Sequence, residues 1–238
     1  MSQSSSVADS RLFRVGQAIM LFVAGVLGLS LGSSLWISAA SSLGVAEGTT
    51  AYQIVGTAVR YLGFVAPVAL FVVAAGDRTL LSWDVPTRRE SAIVVGAVVA
   101  LYVGQYVLLW AFSLIDVAHS QNPALDPATH APVYFLWMVP VSLLVVGPAE
   151  ELLVRGGLQG VLRRSWGPWP SIVGASALFG SLHYIGGGGG ALAYVAFSFL
   201  LGILLGYLYE RTGNLLVPAV AHGGYNAVLY AIQYWQVA

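Results

Sequence analysis

Two neighbouring carboxylates and an arginine, Glu150-Glu151-x-x-x-Arg155, stand inside an apolar stretch that runs from Val141 to Leu162. A carboxylate at the centre of a bilayer costs roughly 2.5–3.5 kcal/mol by insertion scales, so it is kept where it has partners or a task. Two further pairs follow at the same spacing, Phe179-x-x-x-His183 and His222-x-x-x-Asn226. Together they supply a base, two imidazoles and an amide donor. Hydrolysis of an amide bond needs that chemistry: a base for water, and donors where the carbonyl oxygen becomes an anion. No cysteine is present, and Ser176, Ser181 and Ser198 sit in no recognisable nucleophile turn.

Helical spacing divides the labour among the carboxylates. Residues three or four apart share a face, and each step turns the helix by about 100°. Glu151 can therefore pair with Arg155, while Glu150 points elsewhere. The three pairs fall on three separate apolar spans. Each span offers one polar face, and a bundle brings those faces together because lipid exposure is costly.

The elements that must position them are membrane helices. The chain has 238 residues, 58% hydrophobic and 8% charged, against about 25% charged for a soluble domain. The expected fold is all-α, a polytopic transmembrane bundle of about seven spans: Gln17–Ile37, Ala51–Ala75, Ala92–Leu114, Phe135–Leu162, Trp169–Tyr184, Ala191–Tyr209 and Leu215–Trp235. Residues 1–14 read as a polar, frayed tail without the shape of a cleavable signal peptide. Residues 15–131 read as N-terminal transmembrane helices and residues 132–238 as the catalytic core. Pro140 and Pro148 make a bend in the fourth span an expectation.

Charge sorts the connections. Arg11 and Arg14, then Arg78, Arg88 and Arg89, then Arg163 and Arg164, then Arg211 mark alternate connections. The remaining connections hold Glu47, or Asp116 and Asp126, and no arginine. Arginine-rich loops stay cytoplasmic, which puts the N-terminus inside and the C-terminus outside. Arg60 alone breaks the pattern, and reads as a residue near a helix end that snorkels or pairs with a carboxylate. Gly156…Gly160 and Gly202…Gly206 have the spacing of close helix approach. Gly186 to Gly190 read as a flexible outer turn, and His119 and His130 as loop residues. Zero net charge and the absence of a basic patch exclude nucleic acid as a partner. The expected surroundings are the lipid bilayer, and the expected location is the cell membrane.

The ordered set Glu150-Glu151-x-x-x-Arg155, Phe179-x-x-x-His183, His222-x-x-x-Asn226 resembles the CPBP intramembrane metalloprotease-like family, also called the CAAX protease or Abi family, which includes type II CaaX prenyl endopeptidases. The resemblance spans about Pro140 to Asn226. It implies an intramembrane endopeptidase acting on a membrane protein or a lipidated, CaaX-like peptide, with no cofactor. It implies that Glu150 activates water, helped by His183, and that His222 and Asn226 stabilise the oxyanion. Glu151 and Arg155 would orient the site, and Phe179 would pack beneath His183. It also implies a cavity opening toward the cytoplasm. The residues alone leave two other readings open. One is a zinc-dependent hydrolase with His183, His222 and Glu150 as ligands. The other is a non-enzymatic proton-coupled carrier or membrane scaffold.

Overall fold

The computed structural model of the protein describes residues 2–76, 80–117, 122–184 and 191–238, with side chains from Ser10 onward. Arg78, His119 and the Gly186 to Gly190 run lie outside the described residues. The described residues form helices and no strand. The main elements are α1 (Ser2–Ser42), α2 (Thr50–Leu62), α3 (Val65–Ala75), α4 (Arg88–Ser113), a composite α5 (Pro132–Arg163), α6 (Pro168–Leu182), α7 (Ala191–Thr212) and α8 (Leu216–Val237). Five stretches are long and apolar enough to cross a membrane: Ser10–Ser42, Thr50–Ala75, Arg88–Ser113, Pro132–Arg163 and Ala191–Thr212. The expected fifth and seventh spans are the helices α6 and α8. α6 has 15 residues, short of the about 20 that a perpendicular crossing takes. α8 carries His222, Asn226, Gln233 and Gln236 and is correspondingly less apolar.

The backbone of α1 is helical from Ser2. One expectation is corrected at the N-terminal side. The second span is not one helix. It breaks at Gly63, whose backbone N–H and that of Phe64 donate to the carbonyls of Arg60 and Tyr61, tightening the last turn of α2. α1 crosses at this break. A Cβ on either Gly28 or Gly63 would run into the other residue's backbone, so glycine on both sides permits the approach.

α4 starts four residues earlier than its apolar run. Thr87 caps it: its hydroxyl accepts from the Glu90 N–H, and the Glu90 carboxylate accepts from the Thr87 N–H at 2.8 Å. This reciprocal box satisfies two backbone donors at the helix start.

α5 is where the sequence is least regular. It is α-helical over Pro132–Val141, π-helical over Ser142–Val146, α-helical over Gly147–Glu151, π-helical over Leu152–Gln159 and α-helical over Gly160–Arg163. The expected bend at Pro140 and Pro148 thus takes the form of two wide-turn segments flanking the glutamates. Such segments redirect side chains relative to a regular helix and cluster at functional sites.

Small residues let the other helices close on α5. A Cβ on Gly147 would lie 2.7 Å from the Ala219 carbonyl oxygen, and one on Gly223 would lie 2.6 Å from the Ser142 carbonyl oxygen, so α8 touches α5 backbone to backbone. Gly202 meets Ser176 and Gly206 meets Ile172, joining α7 to α6. Gly156 and Gly160 face Leu80, a contact inside the bundle.

Hydrogen bonds group the connections at two ends. Arg11 donates to the Ser165 carbonyl, Arg163 pairs with Glu210 at 2.8 Å, and the Asn214 side chain bonds the backbone of Asp84. These are the arginine-bearing connections. At the other end Gln53 bonds Thr129 and His130.

Candidate active site

Arg155 is the largest fully buried side chain, and its placement organises the site. Its Nε donates to Glu151 Oε2 at 2.8 Å, the pair that four-residue spacing anticipates. Neither terminal guanidinium nitrogen has a hydrogen-bond partner among the described residues, but the guanidinium carbon lies 5.8 Å from the Phe179 ring centre. The ring's negative face therefore meets the cation in a site sealed from water.

Glu151 has a second partner that spacing could not reveal. Its Oε1 lies 2.9 Å from Nδ1 of His222, which stands 71 residues away on α8. Glu150 Oε2 lies 3.5 Å from Nε2 of the same ring. The two carboxylates leave α5 about a quarter-turn apart, and they meet His222 on opposite nitrogens. An ionised carboxylate only accepts, so Nδ1 carries a hydrogen toward Glu151. When Nε2 also carries a hydrogen, that hydrogen faces Glu150 Oε2.

His183 terminates α6. Its Nδ1 is 3.0 Å from the Phe179 carbonyl oxygen. A carbonyl accepts, so Nδ1 donates and Nε2 of the neutral ring is left with its lone pair. Phe179 sits between the imidazoles, edge-on to both: 4.8 Å from His183 and 5.8 Å from His222, centre to centre. Tyr194 packs edge-on against the far side of His183, at 5.1 Å.

Glu150, His183, His222 and Asn226 all line one cavity of about 390 Å³. Asn226 follows His222 by one turn of α8. Glu151 and Arg155 lie behind the wall. His222 lies within 3.5 Å of Glu150, and His183 shares the cavity wall with both.

Spacing missed part of the wall. Tyr61, Tyr134, Tyr194, Tyr225 and Gln105 line it, and the Tyr225 hydroxyl donates to Gln105. Arg60 lines it too. It forms no carboxylate pair among the described residues, and its Nε is buried without a partner. Arg60 stands near a helix end, as expected, and is half-buried without a carboxylate partner among the described residues. The signal was its breach of the arginine alternation. His130 lies elsewhere, stacked on Tyr134 at 3.9 Å.

The lining continues to Asn122, Ala124 and Leu125 in the α4–α5 connection and to Gln233 and Gln236 near the end of α8. That end is opposite the arginine-bearing connections.

Among the described residues, no group of three or more His, Cys, Asp or Glu side chains is arranged to hold a metal ion. Both nitrogens of His222 face carboxylates, and Nδ1 of His183 is bound to a backbone carbonyl.

Residues 132–228 match the family model described as type II CAAX prenyl endopeptidase Rce1-like. This segment is similar to that family. It covers α5 to most of α8, and it contains all three motif pairs. The uncharacterized protein YpbD of Bacillus subtilis (strain 168) is 40% identical over 87 residues, which are 36% of this chain and 40% of that protein. No solved structure matches. The matched segment thus supplies the glutamates, both imidazoles and Asn226, while Arg60, Tyr61 and Gln105 come from helices that precede it.

Proposed function

We propose that the protein is an intramembrane peptidase that hydrolyses a peptide bond of a membrane-associated substrate, with a prenylated CAAX-like peptide as its first candidate. The observation that carries this is the convergence of Glu150, His183, His222 and Asn226 on one cavity within an apolar bundle. In this reading Glu150 takes the proton as the water oxygen attacks the carbonyl carbon. Nε2 of His183 accepts a hydrogen bond from the same water and orients it. The carbonyl oxygen becomes an anion facing the Asn226 amide and Nε2–H of His222, with Glu151 holding the His222 ring through Nδ1. The C–N bond then breaks as Glu150 returns its proton to the leaving amine. No covalent intermediate forms.

The test is Glu150→Gln in the full chain, purified and assayed on a quenched-fluorescence prenylated CAAX peptide in lipid nanodiscs. General-base removal lowers the rate by about 10²–10⁴-fold. Retention of most of the wild-type rate by a correctly inserted variant removes Glu150 from the mechanism. If the wild type cuts no such peptide, proteomics of cells carrying wild-type or Glu150→Gln protein identifies the peptide that accumulates uncut.

A further inference from the structure

Arg60 stands in the last turn of α2, and among the residues that line the cavity it is the one arginine. A guanidinium in an apolar bundle is retained where it finds an anion or a face of π electrons. The Tyr61 ring centre lies 5.2 Å from its guanidinium carbon, which meets part of that need. No carboxylate lies within ion-pair distance among the described residues, and Nε is shut off from solvent with no acceptor. Glu151, by contrast, is fully occupied by Arg155 and His222. The cavity that Arg60 lines also holds Tyr61, Tyr134 and Met138, with Thr57, Gln105 and Glu150.

The size of the space narrows what the cation awaits. A cavity of about 390 Å³ encloses a drug-sized ligand, so only a short stretch of a peptide fits. One cation among apolar and phenolic side chains, with the Glu150, His183, His222 and Asn226 set in the same cavity, matches a peptide with apolar side chains plus one anionic group. A chain end supplies that combination, since its α-carboxylate is charged while every side chain stays apolar. The planar fork of arginine binds a carboxylate through two parallel hydrogen bonds, and a dry site strengthens them.

We infer that Arg60 is a specificity-determining residue that binds a carboxylate of the substrate, in the first instance the free C-terminal carboxylate of a short apolar tail held beside Glu150. This rests on the peptidase reading, and it deepens it: the cut bond lies within a few residues of the substrate's end. An acidic side chain near the tail offers the same chemistry from a second source.

The test uses the full chain in phosphatidylcholine nanodiscs and acetyl-Leu-Leu-Leu as its free acid and as its carboxamide. Binding is measured by calorimetry, with wild-type, Arg60→Gln and Arg60→Lys proteins. Wild type binds the acid about 10–100-fold more tightly than the amide, the range of a hydrogen bond to a charged group. Arg60→Gln brings the ratio to within about twofold, and Arg60→Lys restores part of it. A purely structural Arg60 would weaken acid and amide together and leave their ratio unchanged. Acetyl-Leu-Leu-Asp carboxamide identifies the source: Arg60-dependent binding equal to that of the acid assigns the anion to a side chain. Equal affinity of acid and amide in wild type, a ratio that survives Arg60→Gln, or no binding of any peptide overturns the inference. Cleavage of prenylated CAAX acid and amide, followed in parallel, separates the two claims. Turnover without acid preference sinks the role of Arg60 alone, and acid preference without turnover sinks the peptidase reading alone.

Discussion

Glu151 and Arg155 carry opposite charges at full burial, and each is the other's main compensation. Removing one member of such a pair leaves an isolated charge and costs about 3–5 kcal/mol. Arg155→Met and Glu151→Gln should therefore each lower thermal stability in detergent strongly, and the double variant should be less destabilised than the sum of the two. The coupling expected for residues in contact is about 0.5–3 kcal/mol. Additive losses would mean that the pair is not a unit. Activity adds a second readout. Gln at 151 still offers an oxygen to Nδ1 of His222, so Glu151→Gln should keep more activity than Glu151→Leu, which releases the ring. Spacing alone made Glu151 and Arg155 legible, because i and i+4 share a helix face whatever the fold. It could not show that Glu151 also holds His222. That contact joins α5 to α8 across 71 residues and exists only because the two helices close on each other.

That closure is a property of elements. His222 reaches both glutamates because Gly223, its neighbour, lets α8 lie directly on the backbone of Ser142 and Leu143. A Cβ there would sit 2.6 Å from the Ser142 carbonyl oxygen and 2.9 Å from Leu143 Cα. Both obstacles are backbone, so neither can swing aside. Gly223→Ala should push α8 outward at a cost of about 1–3 kcal/mol, and a displacement of about 1 Å at the reacting groups lowers the rate by about 10²-fold. Gly96→Ala on α4 is the control, since nothing lies within 4 Å of its Cβ. It should be neutral or slightly stabilising, because alanine is the better helix former. Similar activity in the two variants would show that the close approach does not set the site's geometry. The helices themselves were legible from hydropathy, their ends less so. α4 begins at Arg88 because Thr87 and Glu90 form a capping box, a polar signal that an apolar window passes over. The two π-helical segments of α5 have no hydropathy signature at all. They arise where Pro140, Pro148 and the packing of α8 disturb regular bonding, and the prolines were the only visible hint.

On the scale of the whole molecule, two features yield a testable proposal for which way the cavity looks. The arginines that flank α1, α5 and α7 meet at one end, where Arg11 reaches Ser165 and Arg163 reaches Glu210. The cavity wall extends to the other end, through Leu125 and Gln236. The charge rule assigns the first end to the cytoplasm. On that assignment we propose that a substrate enters from the outer half of the bilayer or from beyond it, past His183 at the end of the short α6. The chain has no cysteine, so single introduced thiols report sidedness without background. Gln236→Cys should react in intact cells with a membrane-impermeant maleimide, and Arg211→Cys should react only after permeabilisation. Both positions are exposed, so access to the reagent depends on the membrane and not on packing. The opposite labelling pattern would reverse the bundle. The site would then open to the cytoplasm, and arginine placement would cease to be the determinant of its orientation.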